Sequence, residues 1–471
     1  MKLNQLTIAS ALTGLKNKSF SSLDLTKACL NQIEKTNKNL NTFLTLNPSA
    51  LTEAKRADNL IKTFLTNFEK YPLLGIPYAL KDNFLTKGLR TTASAKVLDN
   101  YIPQYSSTVY KRLKNAGAIL LGKTNMDAWA HGSSTENSDY GPTKNPWNQN
   151  HLPGGSSGGS AAAVIADQCI FAIGSETAGS IRQPAAWSGV TGFKPTYGRV
   201  SRYGVIAMAS STDSPGPLTK NVIDAFLVTK VIAGHDPKDA TTSSLKVNLT
   251  SPKTKSLKGF KIALPKEYLI KEMDSQTTNI IKKAVNDLKK LGAKVETISL
   301  LDPHFAISVY TIIQRSEVSS NLGRYDGVRY GHPRTYFSHE AKNRVMLGTY
   351  TLSTGYYDQY YNHSQKVRTI MINEFNKTFK DFDLIIGPVS PGPALKVGST
   401  QKNPSFGEMQ DILVEASSLS GLTGLSVPCG FVNGLPIGLQ ITGDQFAEQL
   451  VLNAGHAYQQ AIDHHLKRPT I

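Results

Sequence analysis

Cysteine is scarce in this chain of 471 residues: only Cys29, Cys169 and Cys429 occur, far apart and odd in number. They form no CxxC pair and no zinc-type spacing, which excludes a disulfide framework and a cysteine metal centre and suits a reducing, cytoplasmic setting. No apolar run reaches about 18 residues, so a membrane-spanning helix is excluded, and mean hydropathy is −0.25. Charged residues make up 18% of the chain without any block of five or six like charges, so there is no basic or acidic tail. The opening MKLNQLTIASALTGL has one lysine and is interrupted by Gln5, Thr7 and Thr13. It reads as an amphipathic first helix rather than a secretory signal.

What is present fits a large α/β unit. Hydrophobic residues account for 40%, with 37 Gly and 23 Pro spread widely, enough to bury a core without disulfides or metals. Lys and Arg number 52 against 35 acids, a net charge of +17. A basic surface suits tRNA, anionic lipid or an acidic partner, and a compositional drift towards Lys and Asn accounts for it equally well. Leu25, Cys29 and Ile33 place a helix after Ser21 and Ser22, and a second helix covers Leu51 to Leu65. LLGIPYAL (73–80) reads as a buried strand ending at Lys81-Asp82-Asn83. Ser107 to Ala116 is a helix stopped by Gly117, and AILLG (118–122) is the next strand. Farther on, Val222 to Ile232 and Thr278 to Leu291 are helices. FKIALP, KVETISL, LIIGPV (384–389), GLSVPCGF (424–431) and PIGLQITG (436–443) are strands, and Ala447 to Ala461 closes the chain as a helix. This alternation predicts an α/β protein with one large mixed sheet flanked by helices on both faces, a single domain over 1–471. Residues 236–258 are polar and read as an exposed excursion, the segment best suited to mobility.

From Gly132 to Gly216 the chain is dense in Gly, Ser, Thr and Pro but poor in charge, and it holds Val164, Ile165, Phe171 and Ile181. That is ordered loop rather than linker, and ordered loop carries sites. Three readings of PGGSSGGSAAA (153–163) compete. A phosphate-cradling loop needs Gly-Lys-Ser/Thr, and Gly159-Ser160-Ala161 stands there instead. Gly154-Gly155-Ser156-Ser157-Gly158 satisfies G-x-S-x-G, but NPWNQNHLP before it is no strand, and His464-His465 reads as a solvated helix end rather than a partner. The third reading joins Ser156 to Ser180, at the tip of IGSETAGSIRQPA (173–185), and to Lys81. A serine needs a base, and a lysine whose ammonium is desolvated can serve, with Ser156 relaying the proton. Backbone N–H groups around Ala178-Gly179-Ser180 could then meet an oxyanion. Taken alone, Lys81 beside Asp82 is an ordinary surface ion pair.

Together these residues resemble the amidase signature family. G-x-P-x-x-x-K-D (75–82), GGSSGGSA and GSETAGSIRQPA carry the likeness, and Ser156 and Ser180 keep the family's spacing. The resemblance implies Ser180 as acyl-forming nucleophile, Ser156 as relay on a cis Gly155–Ser156 peptide, and Lys81 as base. It assigns the oxyanion hole to the N–H groups of Thr177, Ala178, Gly179 and Ser180. Within the family, GSSTENSDYGPTKNPW (132–147), KPTYGRVSRYGVIAMASS (194–211), SSNLGRYDGVRYG (319–331) and VMLGTYTLSTGYYDQYYNHSQKVR (345–368) resemble the glutaminase subunits of tRNA-dependent amidotransferases. That likeness implies a glutamine substrate whose α-carboxylate meets Arg344 and whose α-ammonium meets Asp411, beside Tyr310 or its neighbour Thr311. It further implies ammonia passed to partner subunits B and C, which amidate Glu-tRNA(Gln) or Asp-tRNA(Asn). ATP and Mg²⁺ are then needed by the complex, with no metal or cofactor in this chain. Glu176 stands where the family has Asp, Ala178 where it has Gly, and the stretch from Gly331 to Arg344 is short. A free-standing amidase and a weakly active assembly protein are the competing readings.

Overall fold

A computed structural model describes residues 2–63, 67–400 and 408–471. Among these residues eleven strands form one sheet: β1 (Phe43–Leu46), β2 (Pro77–Lys81), β3 (Ile119–Thr124), β4 (Phe171–Glu176), β5 (Thr191–Lys194), β6 (Ser214–Thr219), β7 (Lys261–Pro265), β8 (Lys294–Ile298), β9 (Leu384–Pro388), β10 (Thr423–Val432) and β11 (Leu435–Gly443). Their spatial order is β1-β3-β2-β4-β6-β5-β10-β11-β9-β7-β8. The sheet is mixed: β3-β2-β4 and β9-β7-β8 run parallel within their groups, and the strands between them pair antiparallel. Every residue of β2, β3, β4 and β6 is buried. Side chains alternate across a strand, so complete burial means both faces are covered, here by helices.

Local sequence explains most elements. Ser21 caps Ser22–Leu40 by accepting from the Asp24 N–H, and Leu25, Cys29 and Ile33 face the core. Val222–Ile232 begins where Asn221 accepts from the Asp224 N–H. The second helix is Ala50–Thr63, and the Leu65 end foreseen for it lies outside the described residues. The strand expected from residue 73 begins at Pro77; turns occupy 72–75. Gly158–Ile165, a helix of Gly-Gly-Ser-Ala-Ala-Ala-Val-Ile, lies in the segment read as loop. Its composition is poor for a free helix, but all eight residues are buried, and packing supplies what propensity lacks.

A separate helical layer covers one end of the sheet. Pro303–Leu322, His339–Thr351, His363–Thr378 and Ile412–Leu419 build it. Trp129, Tyr310, Ile313, Phe337 and Ala178 share its apolar core, so this layer closes against the loops that leave β3 and β4.

Residues 236–258 contain no helix or strand, yet they are tied down rather than loose. Asp236 accepts from the hydroxyls of Ser201 and Thr108, and Asp239 accepts from the Arg202 N–H at 2.7 Å. Leu249 and Leu257 are buried. Hydrogen bonds to a carboxylate are worth about 1.5–3 kcal/mol each. Asp236→Ala should therefore release the excursion, read as new cleavage within 236–258 on limited proteolysis, with a global stability loss of about 1–3 kcal/mol. Unchanged proteolysis would show that other contacts hold it.

Candidate active site

The parallel trio β3-β2-β4 ends on one edge, with Lys81, Thr124 and Glu176 as last residues. Open α/β sheets expose their loops beyond the carboxyl ends of such strands, and the chemistry-bearing residues gather there. Lys81 is fully buried; its Nζ donates to Ser156 Oγ at 2.7 Å and to the Ser175 carbonyl at 3.0 Å. Burial lowers its ammonium pKa to about 7, against the raising influence of Asp127, Asp213 and Glu176. The surface ion pair suggested by Lys81-Asp82 does not exist. Asp82 points the other way, pairs with the buried Lys123 at 3.3 Å and accepts from the Thr92 N–H at 2.9 Å.

Ser156 follows a cis Gly155–Ser156 peptide. Gly155 N donates to Gln183 Oε1 at 3.0 Å. A Cβ on Gly155 would lie 2.2 Å from Asp127 Oδ2 and 2.6 Å from the Ser134 nitrogen, so only glycine fits. Asp127, just past β3, is itself buried and accepts from the N–H groups of Ser134, Thr135 and Asn137. It shapes the 133–137 loop that walls the site, and burial raises its carboxyl to about 6.

Ser180 lies at the tip of the turn after β4. Glu176 organises that turn: Oε2 accepts from the Ile181 and Arg182 N–H groups, both at 2.9 Å, while Oε1 accepts from Arg182 Nε at 2.8 Å. Those bonds use the N–H groups beyond the turn; Thr177, Ala178, Gly179 and Ser180 lie outside both β4 and the Arg182–Ser188 helix. Ala178 has no positive φ, so the alanine here carries no backbone strain. Thr177 Oγ1 donates to Asp213 at 2.7 Å, a buried carboxylate that also accepts from the Met208 N–H. A Cβ on Gly179 would fall 2.3 Å from Asp411 Oδ1 and 2.7 Å from Val414 Cγ2. The turn and the Ile412–Leu419 helix are thus in close contact.

Ser180 opens into a cavity of about 190 Å³. Arg344, Asp411 and Tyr310, expected to meet the substrate, line it together with Ser134, Met208, Glu340, Glu408 and Glu415. Tyr310, not Thr311, lines the cavity; Thr311 Oγ1 donates to Glu408 Oε2 at 3.5 Å. Arg344 is held by Glu340 and stands 3.6 Å from Glu408, which also pairs with Arg315 at 2.7 Å. The enclosure can take a small molecule beside Ser180, with Arg344 and the carboxylates of Glu340, Glu408, Asp411 and Glu415 in its wall. Among the described residues, no group of His, Cys, Asp or Glu is placed to hold a metal ion. His465 is largely buried rather than solvated.

A profile of the family described as Amidase matches residues 24–452. The chain belongs to the Amidase family. It is 46% identical over 489 aligned positions, covering 100% of both chains, to the A subunit of glutamyl-tRNA(Gln) amidotransferase from Geobacillus kaustophilus. The corresponding protein of Trichlorobacter lovleyi, of the same name, is 45% identical, again over the whole of both chains. Among solved structures, the A subunit of glutamyl-tRNA(Gln) amidotransferase from Thermotoga maritima superposes with TM-score 0.83 at 37% identity, over 98% of this chain and 95% of that one. The native peptide amidase of Stenotrophomonas maltophilia gives 0.82 at 27% identity, over 96% of each.

Several residues of this Amidase-family site escaped sequence reasoning: Asp127, Asp213, Glu340, Glu408 and Glu415. Asp127 and Asp213 stand in loops with no spacing rule to mark them. Glu415 follows Asp411 by one helical turn, and that i, i+4 relation was the signal available. Gly179→Ala should fold but lose hydrolytic activity by about 100-fold, because its Cβ displaces the turn against Asp411 and an offset near 1 Å is that costly. Steady-state hydrolysis beside thermal melting checks this; full activity would mean the turn tolerates the shift.

Proposed function

We propose that this chain is the glutamine-hydrolysing A subunit of a glutamyl-tRNA(Gln) amidotransferase, one amidase-signature domain over its whole length. The observation that carries the reading is the cavity in which Ser180, Arg344 and Asp411 meet. Full-length identity of 46% to a protein of that name supports it. Glutamine has the matching groups: a side-chain amide for Ser180, an α-carboxylate for Arg344 and an α-ammonium for Asp411, with Tyr310 along its length.

In the proposed reaction neutral Lys81 accepts the Ser156 proton as Ser156 accepts that of Ser180. Ser180 Oγ then bonds to the amide carbon, and the oxyanion is met by N–H groups of Thr177, Ala178, Gly179 and Ser180. Lys81 returns its proton through Ser156 to the leaving nitrogen, ammonia departs, and a glutamyl ester remains. Water, deprotonated along the same path, releases glutamate. Desolvation of Lys81 is what makes an amine serviceable as base near neutral pH.

The ammonia would pass to partner subunits B and C in a cytoplasmic heterotrimer, which amidate ATP-activated Glu-tRNA(Gln) or Asp-tRNA(Asn). ATP and Mg²⁺ belong to those partners in this reading. Among the described residues no helix is long and apolar enough to cross a membrane. A free-standing amidase is the rival reading, but a cavity lined by Arg344, Asp411 and Glu415 suits a charged amino acid better than an uncharged amide.

In the assembled complex, Ser180→Ala should abolish glutamine-dependent amidation and spare ammonia-dependent amidation; loss of both would refute this division of labour. Lys81→Met should be about as damaging to glutamine hydrolysis as Ser180→Ala, because triad members act as a unit. The base must be neutral, and its pKa is about 7. Glutaminase kcat/KM should therefore fall tenfold per pH unit below about 7 and level off above it. A flat profile from pH 5 to 8 would remove Lys81 as the base.

A further inference from the structure

Charge pairing in the cavity leaves two carboxylates over. Arg344 is matched by Glu340 and Glu408, and Arg315 by Glu408. Asp411 and Glu415 have no cationic partner among the described residues. Both are buried, Glu415 completely, and both line the cavity that Ser180 enters. Asp411 Oδ1, Glu415 Oε1 and Glu415 Oε2 accept no hydrogen bond from the described residues. The Glu415 N–H donates to the Asp411 carbonyl at 3.1 Å, so the two side chains rise from one helix face a single turn apart.

An orphaned buried carboxylate is costly to desolvate, and native proteins satisfy such groups unless a ligand does so. The three unused acceptors have a chemical complement: a primary ammonium carries three N–H donors and the missing positive charge. Resting on the glutamine reading above, we infer that Glu415 is a specificity-determining residue, which with Asp411 binds the substrate's α-ammonium and restricts this site to amides bearing a free primary amine. Burial, then the neighbouring carboxylates, raises both carboxyls well above their ordinary range. Without a cation the pair takes up protons, and an N-acylated or deaminated substrate supplies no charge to displace them.

The test compares L-glutamine with glutaramate, which keeps the carboxylate and the side-chain amide but lacks the amine. Binding is measured by calorimetry on the full Ser180→Ala protein with its partner subunits, and on the same protein carrying Glu415→Gln or Glu415→Asp. Glutamine should bind the parent at least about tenfold more tightly than glutaramate, a difference of about 1.4 kcal/mol. Glu415→Gln should weaken glutamine about tenfold and leave glutaramate within about twofold, which also reports an intact cavity, while Glu415→Asp recovers part of the preference. With Ser180 present, Glu415→Gln should raise KM for glutamine and leave kcat nearly unchanged. A glutamine-to-glutaramate ratio that Glu415→Gln does not alter overturns the inference, as does a parent that binds both compounds equally or neither. If the ratio collapses but the wild-type complex draws no ammonia from glutamine, the glutaminase reading fails and the role of Glu415 stands. If ammonia is delivered and the ratio does not move, the reverse holds.

Discussion

Arg182 and Glu176 meet where neither side chain has any solvent exposure, 2.7 Å apart, and the site is assembled around that contact. Glu176 takes two backbone N–H groups and the guanidinium; Arg182 directs its remaining donors to Ser417, Ser418, the Val414 carbonyl and Gln440. One ion pair thus ties the Ser180 turn to the helix behind Asp411 and to β11. A buried pair of this kind adds little net stability, because desolvation offsets attraction. Its contribution is geometric: Oε1 takes Nε and Nη2 of the guanidinium while Oε2 takes two backbone N–H groups, so the turn is tied down at both carboxylate oxygens. The Glu176 side chain is long enough to reach both the N–H groups and Arg182.

Lys81 shows the opposite use of burial. Among the described residues no carboxylate touches its Nζ; Ser156 and a carbonyl are its partners, and the charges that favour its ammonium act from a distance. Lys123, one strand over, is equally buried but contacts Asp82 and keeps a higher pKa, about 8 against about 7. Two equally buried lysines on neighbouring parallel strands thus differ in whether a carboxylate stands against them. The Lys123–Asp82 contact also turns Asp82 away from Lys81, which leaves Lys81 free to face Ser156.

Much of the fold could be read along the chain. Helix 222–232 coincides with its expected bounds, and β7, β8, β9, β10 and β11 fall within a residue or two of the apolar runs that predict them, because alternation and Gly stops are local signals. The misses have physical causes. Gly158–Ile165 has helix-poor composition and forms because its surroundings bury it. The helices at 303–322, 339–351, 363–378 and 412–419 mix polar and apolar residues around their circumference. Their inner faces meet loops and a cavity rather than a uniform core, so periodicity marks them weakly.

For the site, the order of residues along the chain was enough to single out Lys81 after a strand, Ser156 among glycines and Ser180 at a second turn, and to imply the family. Arg344, Asp411 and Tyr310 were also legible, through resemblance alone. Folding settled which charges have partners. It turned Asp82 from Lys81 to Lys123, put Tyr310 rather than Thr311 on the cavity, and left Asp411 and Glu415 with no cationic partner among the described residues. Nothing local could have revealed this. Whether a carboxylate is satisfied depends on groups tens to hundreds of residues away in the chain, and on burial that exists only once the sheet and the helical layer have closed.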